Sequence, residues 1–325
     1  MPGVIRVHEV GGPEVMRYEE IEVGAPGPGQ ALIRQTAVGL NFIDVYFRSG
    51  LYPPPALPFT PGLEGAGVVE AVGEGVSDLA VGQRVAYASP PIGAYAEVRL
   101  HQADRLVPLP VGIGDEQAAA MMLKGMTAHY LLRRTFRVER GQTILFHAAA
   151  GGVGTIACQW AKHLGATVIG TVGSAAKAEV ARAHGCDHPI RYDQEDLVAR
   201  VREITDGKGV PVVYDSVGRS TFERSLDCLA PLGMLVSFGQ SSGKIPPVDL
   251  GILSQKGSLY VTRPTLMTYT AARADLLAAA GELFDVVRSG AVRIEIDQRY
   301  PLREAVAAHR ALEGRETTGS TILQP

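Results

Sequence analysis

Residues 143–166 read TILFHAAAGGVGTIACQWAKHLGA, an apolar run, a glycine-rich turn and a second apolar segment. The turn contains Ala149-x-Gly151-x-x-Gly154, which is the dinucleotide-binding fingerprint with alanine in the first glycine position. After the turn, apolar residues recur at i, i+3, i+4 and i+7 over 153–164, which predicts a helix packed on a sheet. Strand, turn and helix in this order are the context that the fingerprint requires.

The glycines of the turn open the backbone to a phosphate group. Gly151 and Gly152 lack a Cβ, so their amides can approach a pyrophosphate, and the N-terminus of the helix supplies partial positive charge. Gly154 lets the helix lie close to the strand. The alternative is a tight turn that binds nothing, and the flanking strand and helix argue against it. The cofactor contacts predicted here are Ala150, Gly151, Gly152 and Val153.

The end of the next predicted strand indicates which dinucleotide binds. An NAD site is expected to place Asp or Glu about 20 residues beyond the turn, to bind the ribose 2′-hydroxyl. Here that position falls at Gly173 in GTVGSAAK, without a carboxylate, and Ser174 and Lys177 offer a hydroxyl and a cation to a 2′-phosphate. Lys177 could instead be a solvated residue on a helix face. The pattern favours NADPH over NADH, and Arg191 and Tyr192 could flank the phosphate or the adenine.

Two sequence rhythms divide the chain. The first ~120 residues alternate short apolar runs with Gly- and Pro-rich turns, which predicts β-rich structure. From about residue 140 the pattern becomes strand, turn and amphipathic helix, typical of an α/β domain with a parallel sheet. Its predicted strands are 143–146, 167–171, 211–215 and 232–238. The tail, with a helix at 270–289, a strand at 294–300 and a helix at 302–313, is expected to return to the first domain.

Composition and charge exclude several functional classes. A length of 325 residues favours two domains, and 46% hydrophobic residues support a folded chain. The 31 basic and 34 acidic residues give a net charge of −3 with no basic segment, so no nucleic acid is expected. No secretory signal is predicted at the N-terminus, and polar residues interrupt the apolar stretch 144–161. We therefore expect a cytoplasmic protein without a membrane partner.

Cysteine and histidine spacing predicts no metal site. Cys158, Cys186 and Cys228 are far apart and never spaced as CxxC, so they indicate neither a disulfide framework nor a cysteine-based zinc site. They are interpreted as buried, reduced thiols. The eight histidines occur singly, without HExxH.

Six segments carry a family resemblance: VHEVGGPEVM (7–16), VGLNFIDVYFRSGLYPPPALP (38–58), PGLEGAGVVEAVGEGV (61–76), HAAAGGVGTIACQWAKHLGA (147–166), YDSVG (214–218) and KGSLYVTRP (256–264). The chain resembles the zinc-independent quinone oxidoreductases related to zeta-crystallin, of the medium-chain dehydrogenase/reductase superfamily. The resemblance implies a GroES-like, partly β-barrel catalytic domain at 1–124 and 264–325. It also implies a Rossmann domain, a doubly wound parallel sheet that binds NADPH, at 125–263, with the active site in the cleft between the domains.

The resemblance also implies that zinc is not used. Zinc-dependent relatives carry a cysteine ligand in GxCxxD and a histidine ligand in GHE, and the matching positions here are Asn41 and Leu63. No cysteine precedes Cys158, so the four-cysteine structural-zinc loop is missing as well. Asp44 and Glu64 then have no zinc to interact with, and we interpret them as buried hydrogen-bonding groups.

Similarity to the family places Asn41, Tyr46 and Tyr52 near the nicotinamide and the substrate. The Asn41 amide can donate to a developing oxyanion. The tyrosines could donate a hydroxyl, stack on a flat ring or simply pack as aromatic residues. Arg263 could contact the cofactor or anchor the domain interface. The further cofactor contacts that the resemblance implies are Asn41, Lys124, Thr127, Ser216, Val217, Phe238, Gly239, Ser241, Arg263 and Gly319.

A quinone is the substrate class that fits a site without zinc. No Lewis acid is available to polarise a simple carbonyl, whereas quinone carbonyls are conjugated and electron-poor. We therefore expect an enzyme that reduces quinones with NADPH, without metal or flavin. A reductase of conjugated enals or enones is the alternative enzyme, and a cofactor-holding protein like lens zeta-crystallin is the alternative outside enzymology. In the family, the strand in 256–264 joins two Rossmann sheets, which implies a homodimer.

Overall fold

In the computed structural model, which describes all 325 residues, the chain passes four times between two units. Unit 1 comprises Met1–Met126, Thr270–Arg288 and Ile294–Pro325, and unit 2 comprises Thr127–Tyr269 and Ser289–Arg293. The divisions expected from the sequence, after residues 124 and 263, stay a prediction, with the structural divisions a few residues further along the chain. The sequence did not predict that the short segment 289–293 belongs to unit 2.

The N-terminal part of unit 1 is mainly β-structure. Its strands are β1 (Gly3–Val7), β2 (Met16–Glu20), β3 (Gln30–Leu40), β4 (Glu64–Val72), β5 (Arg84–Ala88), β6 (Val98–Gln102) and β7 (Val107–Pro108). Its helices are α1 (Phe42–Arg48) and α2 (Asp115–Tyr130), and the division between the units falls within α2. Along β3, Ala31, Ile33 and Ala37 are buried while Arg34 and Thr36 are exposed, so alternation places one face of the strand in the core.

Unit 2 follows the predicted βαβ rhythm. Its strands are β8 (Thr143–Phe146), β9 (Thr167–Val172), β10 (His188–Arg191), β11 (Val210–Asp215), β12 (Leu229–Ser237) and β13 (Tyr260–Thr262). Its helices are α3 (Gly152–His163), α4 (Ala175–Ala183), α5 (Leu197–Ile204), α6 (Phe222–Asp227), α7 (Gly251–Gln255) and α8 (Leu266–Tyr269). The four strands predicted here all exist, with ends that differ from the prediction by at most three residues.

All neighbours in the unit 2 sheet are parallel, in the order β10-β9-β8-β11-β12-β13. The winding direction reverses between β8 and β11, and ligands of such sheets bind at the carboxyl ends of the strands at this switch point. Leu145, Ile169, Val213 and Leu235 are fully buried in the core of the unit. The near-continuous apolar strands suit a parallel sheet covered on both faces.

The C-terminal tail completes the larger sheet of unit 1. It contains α9 (Arg273–Arg288), β14 (Ile296–Pro301), α10 (Ala305–Glu313) and β15 (Ser320–Gln324). Strand β15 pairs with β14 on one side and with β3 on the other, in the order β14-β15-β3-β4-β5-β7, and β6 also pairs with β3. The tail and the N-terminal strands therefore share one seven-stranded sheet. None of the helices in the protein combines the length and apolar character needed to cross a membrane.

An ion pair between a buried arginine and a partly exposed glutamate links the first α-helix of unit 1 to the last. The Arg48 side chain is 1% exposed, and its two terminal nitrogens donate to the two carboxylate oxygens of Glu313, each at 2.8 Å. Such a bidentate pair fixes direction as well as distance. It thereby holds α1 against α10, although 265 residues separate the partners.

Candidate functional site

The glycine turn of unit 2 begins α3 close to the end of β8. Gly151 is the N-cap with φ −84° and ψ 172°, and Gly152 is the first helical residue. The amides of the first turn have no partner within the helix, and they carry the positive end of the helix dipole. A Cβ on Gly154 would lie 2.7 Å from the carbonyl oxygen of Ala149, so only glycine allows this approach. The turn, with Ala150 and Val153 beside it, thus has the features of an anion-binding helix N-terminus.

The second predicted group of cofactor residues follows β9 and β10. Ser174 is the N-cap of α4, and its hydroxyl oxygen accepts the backbone N–H of Lys177 at 3.2 Å. The hydroxyl hydrogen of Ser174 is not used in that bond. Tyr192 lies against Gly173, where a Cβ would collide with the phenol oxygen. The Arg191 guanidinium lies 2.8 Å from a carboxylate oxygen of Asp193, so it already has an anionic partner within the protein.

The third group follows β11 and β12. The Ser241 amide donates to the Ser216 carbonyl at 3.2 Å, and a Cβ on Gly239 would lie 2.5 Å from the same oxygen. Nη1 of Arg263 donates to the carbonyls of Ser237 at 2.9 Å and Gly239 at 2.8 Å. Arg263 therefore fixes the path of this loop, and its predicted contact with the cofactor or with the domain interface stays a prediction.

Three further predicted contacts are Thr127 and Gly319, which lie outside these loops, and Phe238, which begins the loop after β12. Thr127 is buried on α2. Phe238 follows β12, and its ring packs on Phe146 with centroids 5.6 Å apart. Gly319 precedes β15 in unit 1 with φ +54°, and a Cβ there would lie 3.0 Å from the carbonyl oxygen of Glu295.

In unit 1 a buried polar cluster surrounds Asn41, the N-cap of α1. Nδ2 of Asn41 donates to Oε2 of Glu64 at 2.7 Å, and the Leu123 amide donates to Oε1 at 2.7 Å. Nζ of Lys124 lies 3.6 Å from Oε2 of Glu64 and donates to the Leu40 carbonyl at 3.2 Å. Two of the predicted site residues, Asn41 and Lys124, thus meet on one carboxylate.

The electrostatics of this cluster are those of a buried charge pair. Burial raises the pKa of the Glu64 carboxyl, and the Lys124 ammonium and the Asn41 hydrogen bond oppose that rise. Because Glu64 takes one of the two Nδ2 hydrogens of Asn41, the amide can be held in one orientation with a second hydrogen to donate. The cluster can therefore present a fixed neutral donor.

A second buried carboxyl, Asp44, closes the cap of α1. Its Oδ2 accepts the backbone N–H of Asn41 at 2.9 Å and the Tyr95 hydroxyl at 3.1 Å, while Oδ1 is buried without a partner. The Tyr95 oxygen lies 3.0 Å from Nε2 of His309. Burial raises the pKa of Asp44 to about 7, against the lowering effect of its two hydrogen bonds.

The two predicted tyrosines form an aromatic cluster at α1. Tyr46 and Tyr52 meet edge to face with centroids 5.2 Å apart, and Phe47 adds a second edge contact to Tyr52 at 5.8 Å. The Tyr52 amide donates to the Tyr46 carbonyl at 2.9 Å. Tyr46 is 8% exposed, so it presents little surface of its own.

Two buried polar residues, His147 and Asp215, were not predicted from the sequence to have a role. Both are buried at the carboxyl ends of neighbouring strands, β8 and β11. A polar residue directly after an apolar strand of a parallel sheet is the signal that could have identified them.

Family models match both parts of the chain. Residues 27–111 match the alcohol dehydrogenase GroES-like domain, and residues 152–279 match the zinc-binding dehydrogenase model. Over 315 residues, 97% of each chain, this protein is 58% identical to a quinone oxidoreductase of Pseudomonas aeruginosa. The chain belongs to the quinone oxidoreductase family. This family lies within the medium-chain dehydrogenases/reductases, so the predicted family and the predicted α/β fold class are confirmed.

Two further relatives widen the family around this chain. The crystal structure of Escherichia coli quinone oxidoreductase complexed with NADPH has 52% sequence identity and a TM-score of 0.98, covering 99% of this chain and 100% of that one. A 2-haloacrylate reductase of Burkholderia sp is 48% identical over 328 residues, 98% of each chain.

The zinc named in the second family model does not fit the residues of this chain. Two positions correspond to zinc ligands of the zinc-dependent relatives. One holds Asn41, whose Nδ2 donates to Glu64, and the other holds Leu63, which is apolar. No three His, Cys, Asp or Glu side chains of the protein are grouped as metal ligands.

Replacing Asp44 by asparagine is expected to flatten the pH dependence of stability. Unfolded aspartate loses its proton near about pH 4, whereas the folded carboxyl keeps it until about pH 7. The unfolded state therefore binds fewer protons in this window, and the free energy of unfolding falls as pH rises. At roughly 1.4 kcal/mol per pKa unit, the fall is on the order of 2 to 4 kcal/mol. Urea unfolding of Asp44→Asn between about pH 5 and about pH 8 should show a shallower slope.

The control for Asp44→Asn is Glu70→Gln, which makes the same carboxyl-to-amide replacement at an exposed pair with Arg34. We expect it to keep the wild-type slope. If Asp44→Asn also kept that slope, Asp44 would have to be ionised in the folded protein throughout this range.

Proposed function

We propose that this chain is an enzyme that reduces quinones with NADPH, without a metal or a flavin. The observation that carries the proposal is the full-length match, with a TM-score of 0.98, to a quinone oxidoreductase complexed with NADPH. The glycine turn at 151–154 and the adjoining loops of unit 2 supply the donors that such a cofactor needs.

The loops of unit 2 divide the task of holding the cofactor. The amides of Gly152 and Val153 bind the pyrophosphate at the N-terminus of α3, and Gly151, whose own amide donates to the Ala148 carbonyl, leaves room for its approach. Ser174 and Lys177 bind the 2′-phosphate, with the serine hydroxyl as donor and the ammonium as countercharge. When bound, NADPH supplies the reducing equivalents through its nicotinamide ring. Ser216, Val217 and the loop after β12 are proposed to border that ring.

Asn41 is proposed to act at the substrate oxygen. Glu64 holds the amide through one Nδ2 hydrogen at 2.7 Å, and the second hydrogen is proposed to stabilise negative charge as the quinone oxygen is reduced. A neutral donor suits this task because it neither titrates nor needs a metal. Tyr46 and Tyr52 are proposed to limit where a flat ring can lie, through their edge-to-face packing.

Reduction of a conjugated carbon–carbon double bond is the second candidate function. The 48% identity to a 2-haloacrylate reductase favours it. The same residues would serve, since Asn41 can donate to the carbonyl or carboxylate oxygen conjugated with the double bond. The two functions differ in the acceptor atom and not in the cofactor site.

The expected cellular setting remains part of the proposal. All three cysteines are unpaired and buried, which suits a reducing compartment such as the cytoplasm. We propose no nucleic-acid or membrane partner, in keeping with the net charge of −3.

Purified protein treated with a chelator is expected to oxidise NADPH when a benzoquinone is added. The physical reason is that positioning and the Asn41 donor suffice for an electron-poor acceptor. The measurement is the loss of NADPH absorbance with a benzoquinone, an alkenal and a 2-haloacrylate, each corrected for the uncatalysed reaction. The fastest turnover should occur with the quinone.

The other outcomes of this assay discriminate between the alternatives. Turnover with the alkenal or the haloacrylate alone would replace quinone reduction by double-bond reduction. Tight NADPH binding with no turnover of any acceptor would favour the cofactor-holding protein.

Lys177→Ala is expected to weaken the use of NADPH and to leave NADH unaffected. Loss of a charge-assisted bond to the 2′-phosphate costs about 1–3 kcal/mol, or roughly 5- to 150-fold in KM. Arg182→Ala, on the same helix in an ion pair with Glu179, is the control and should change neither KM. Equal effects of Lys177→Ala on both cofactors would remove the 2′-phosphate role.

We also propose a homodimer formed through β13. This strand is at the edge of the unit 2 sheet, and Tyr260 and Val261 are 58% and 41% exposed there. An unpaired edge with apolar side chains is a site for strand pairing. Val261→Lys should convert the dimer to monomer in sedimentation velocity, whereas Val111→Lys, at a 92% exposed valine, should not. A monomeric wild-type protein would contradict the proposal.

A further inference from the structure

Four buried polar side chains lie at the switch point of the unit 2 sheet. His147 follows β8, Thr171 is on β9, Asp215 ends β11 and Ser225 is on α6. Their exposures are 1%, 2%, 1% and 0%. None of them is among the residues proposed to touch NADPH. Polar groups buried so deeply require hydrogen-bond partners.

The four side chains form a continuous hydrogen-bonded series. Nδ1 of His147 lies 3.0 Å from the Thr171 hydroxyl, and Nε2 lies 3.0 Å from the Ser225 hydroxyl. Ser225 in turn donates to Oδ2 of Asp215 at 3.0 Å. At the other end, the amide of Ala148 donates to the Thr171 hydroxyl oxygen at 3.2 Å.

The hydrogens in this series have one consistent arrangement. A serine hydroxyl has a single hydrogen, and Ser225 gives it to Asp215, so Ser225 must accept from Nε2–H of His147. In a neutral ring Nδ1 is then an acceptor, and Thr171 donates to it. The Thr171 oxygen remains free to accept the Ala148 amide. The network therefore specifies a neutral His147 in the Nε2–H tautomer.

The environment of His147 favours this neutral form. Burial lowers the pKa of the imidazole, and Arg224 adds to the lowering while Asp215 opposes it. A second ring proton would sit on Nδ1 and face Thr171. That hydroxyl already accepts the Ala148 amide, so its own hydrogen would lose its acceptor.

The two ends of the series fix two different backbone loops. Ala148 has φ +54°, and its carbonyl accepts the Gly151 amide at 2.9 Å, so it sets the glycine turn. Oδ1 of Asp215 accepts the amides of Val217 at 2.7 Å and Gly218 at 3.1 Å, which sets the loop after β11. These are the loops on either side of the switch point.

We propose that His147, Thr171, Ser225 and Asp215 are positioning residues that lock the glycine turn and the 216–218 loop in the relative geometry that binds NADPH. The inference rests on the proposed function, because these loops are its cofactor loops. In this arrangement His147 connects the two halves of the series, because Nδ1 accepts a hydrogen bond from Thr171 and Nε2 donates one to Ser225. Replacing one of these four residues by an apolar residue would remove hydrogen bonds that hold one of the two loops in place.

Two substitutions of Thr171 separate this role from packing. Thr171→Val keeps the shape but loses the hydroxyl, and we expect it to raise the Kd for NADPH about tenfold, since a buried donor loses its partner. Thr171→Ser keeps the hydroxyl and loses a methyl group, and the Kd should stay within about threefold. A packing role predicts the reverse order, because serine leaves a cavity and valine does not. Calorimetric titration of each purified protein with NADPH measures these values.

A matched pair of serine variants gives a control for general destabilisation. Ser225→Ala and Ser89→Ala each remove a buried hydroxyl that lies 3.0 or 3.1 Å from a buried histidine nitrogen. Ser89 belongs to unit 1 and contacts His101. We expect Ser225→Ala to weaken NADPH binding about tenfold and Ser89→Ala to leave it within about twofold.

The tautomer can be read without cofactor. Nitrogen NMR of histidine-labelled protein should show His147 protonated on Nε2 only, and a proton on Nδ1 would overturn the proposed arrangement. Wild-type protein that does not bind NADPH would overturn the proposed function and this inference together. If the wild-type protein binds NADPH and both Thr171→Val and Ser225→Ala bind it equally well, the inference is overturned and the proposed function is not.

Discussion

The carboxylate of Glu64 has no access to solvent, and a buried charge persists in a folded protein only where donors surround it. Here the donors are Nδ2 of Asn41, the amide of Leu123 and the ammonium of Lys124. One donor comes from the cap of α1 and two come from α2. The positions of both helices therefore depend on a single charge on β4, and so does the orientation of the amide that we propose acts on the substrate. Removing the lysine would leave that charge unpaired, at a cost of about 3–5 kcal/mol.

Unit 2 also contains a buried carboxylate, and different donors stabilise it. Asp215 is also buried at the start of a functional loop, but no cation neutralises it. It accepts the backbone amides of Val217 and Gly218 and the hydroxyls of Thr221 and Ser225. Because amides and hydroxyls are directional, this arrangement fixes geometry without adding a positive charge beside a site that binds an anionic cofactor. In unit 1 a lysine ammonium stabilises the buried carboxylate, and in unit 2 backbone amides and hydroxyls do so.

The fold was predictable from the sequence wherever the pattern is local. The segment at β8 and α3 combines a short apolar run, a glycine turn and an amphipathic stripe, and its strand ends where predicted. Helix α2 was not predicted, because residues 118–122 are all fully buried, so no polar face marks a helical period. The loops proposed to bind the cofactor could be located from their glycines. The Asn41–Glu64 contact and the His147 series could not, since they join residues 23 and 78 positions apart.

The place of β15 has a consequence for synthesis on the ribosome. Strand β3 is complete once residue 40 has been made, but on the side opposite β4 only its first half pairs with β6, and Val38–Leu40 pair with β15. All of unit 2 except 289–293 emerges in the interval and contains its own sheet, so it can fold while the first sheet still has an open edge. An open β-edge pairs readily with other chains. The Val38–Leu40 end of β3 in nascent unit 1 is thus open to pairing with other chains until Ser320–Gln324 has been synthesised.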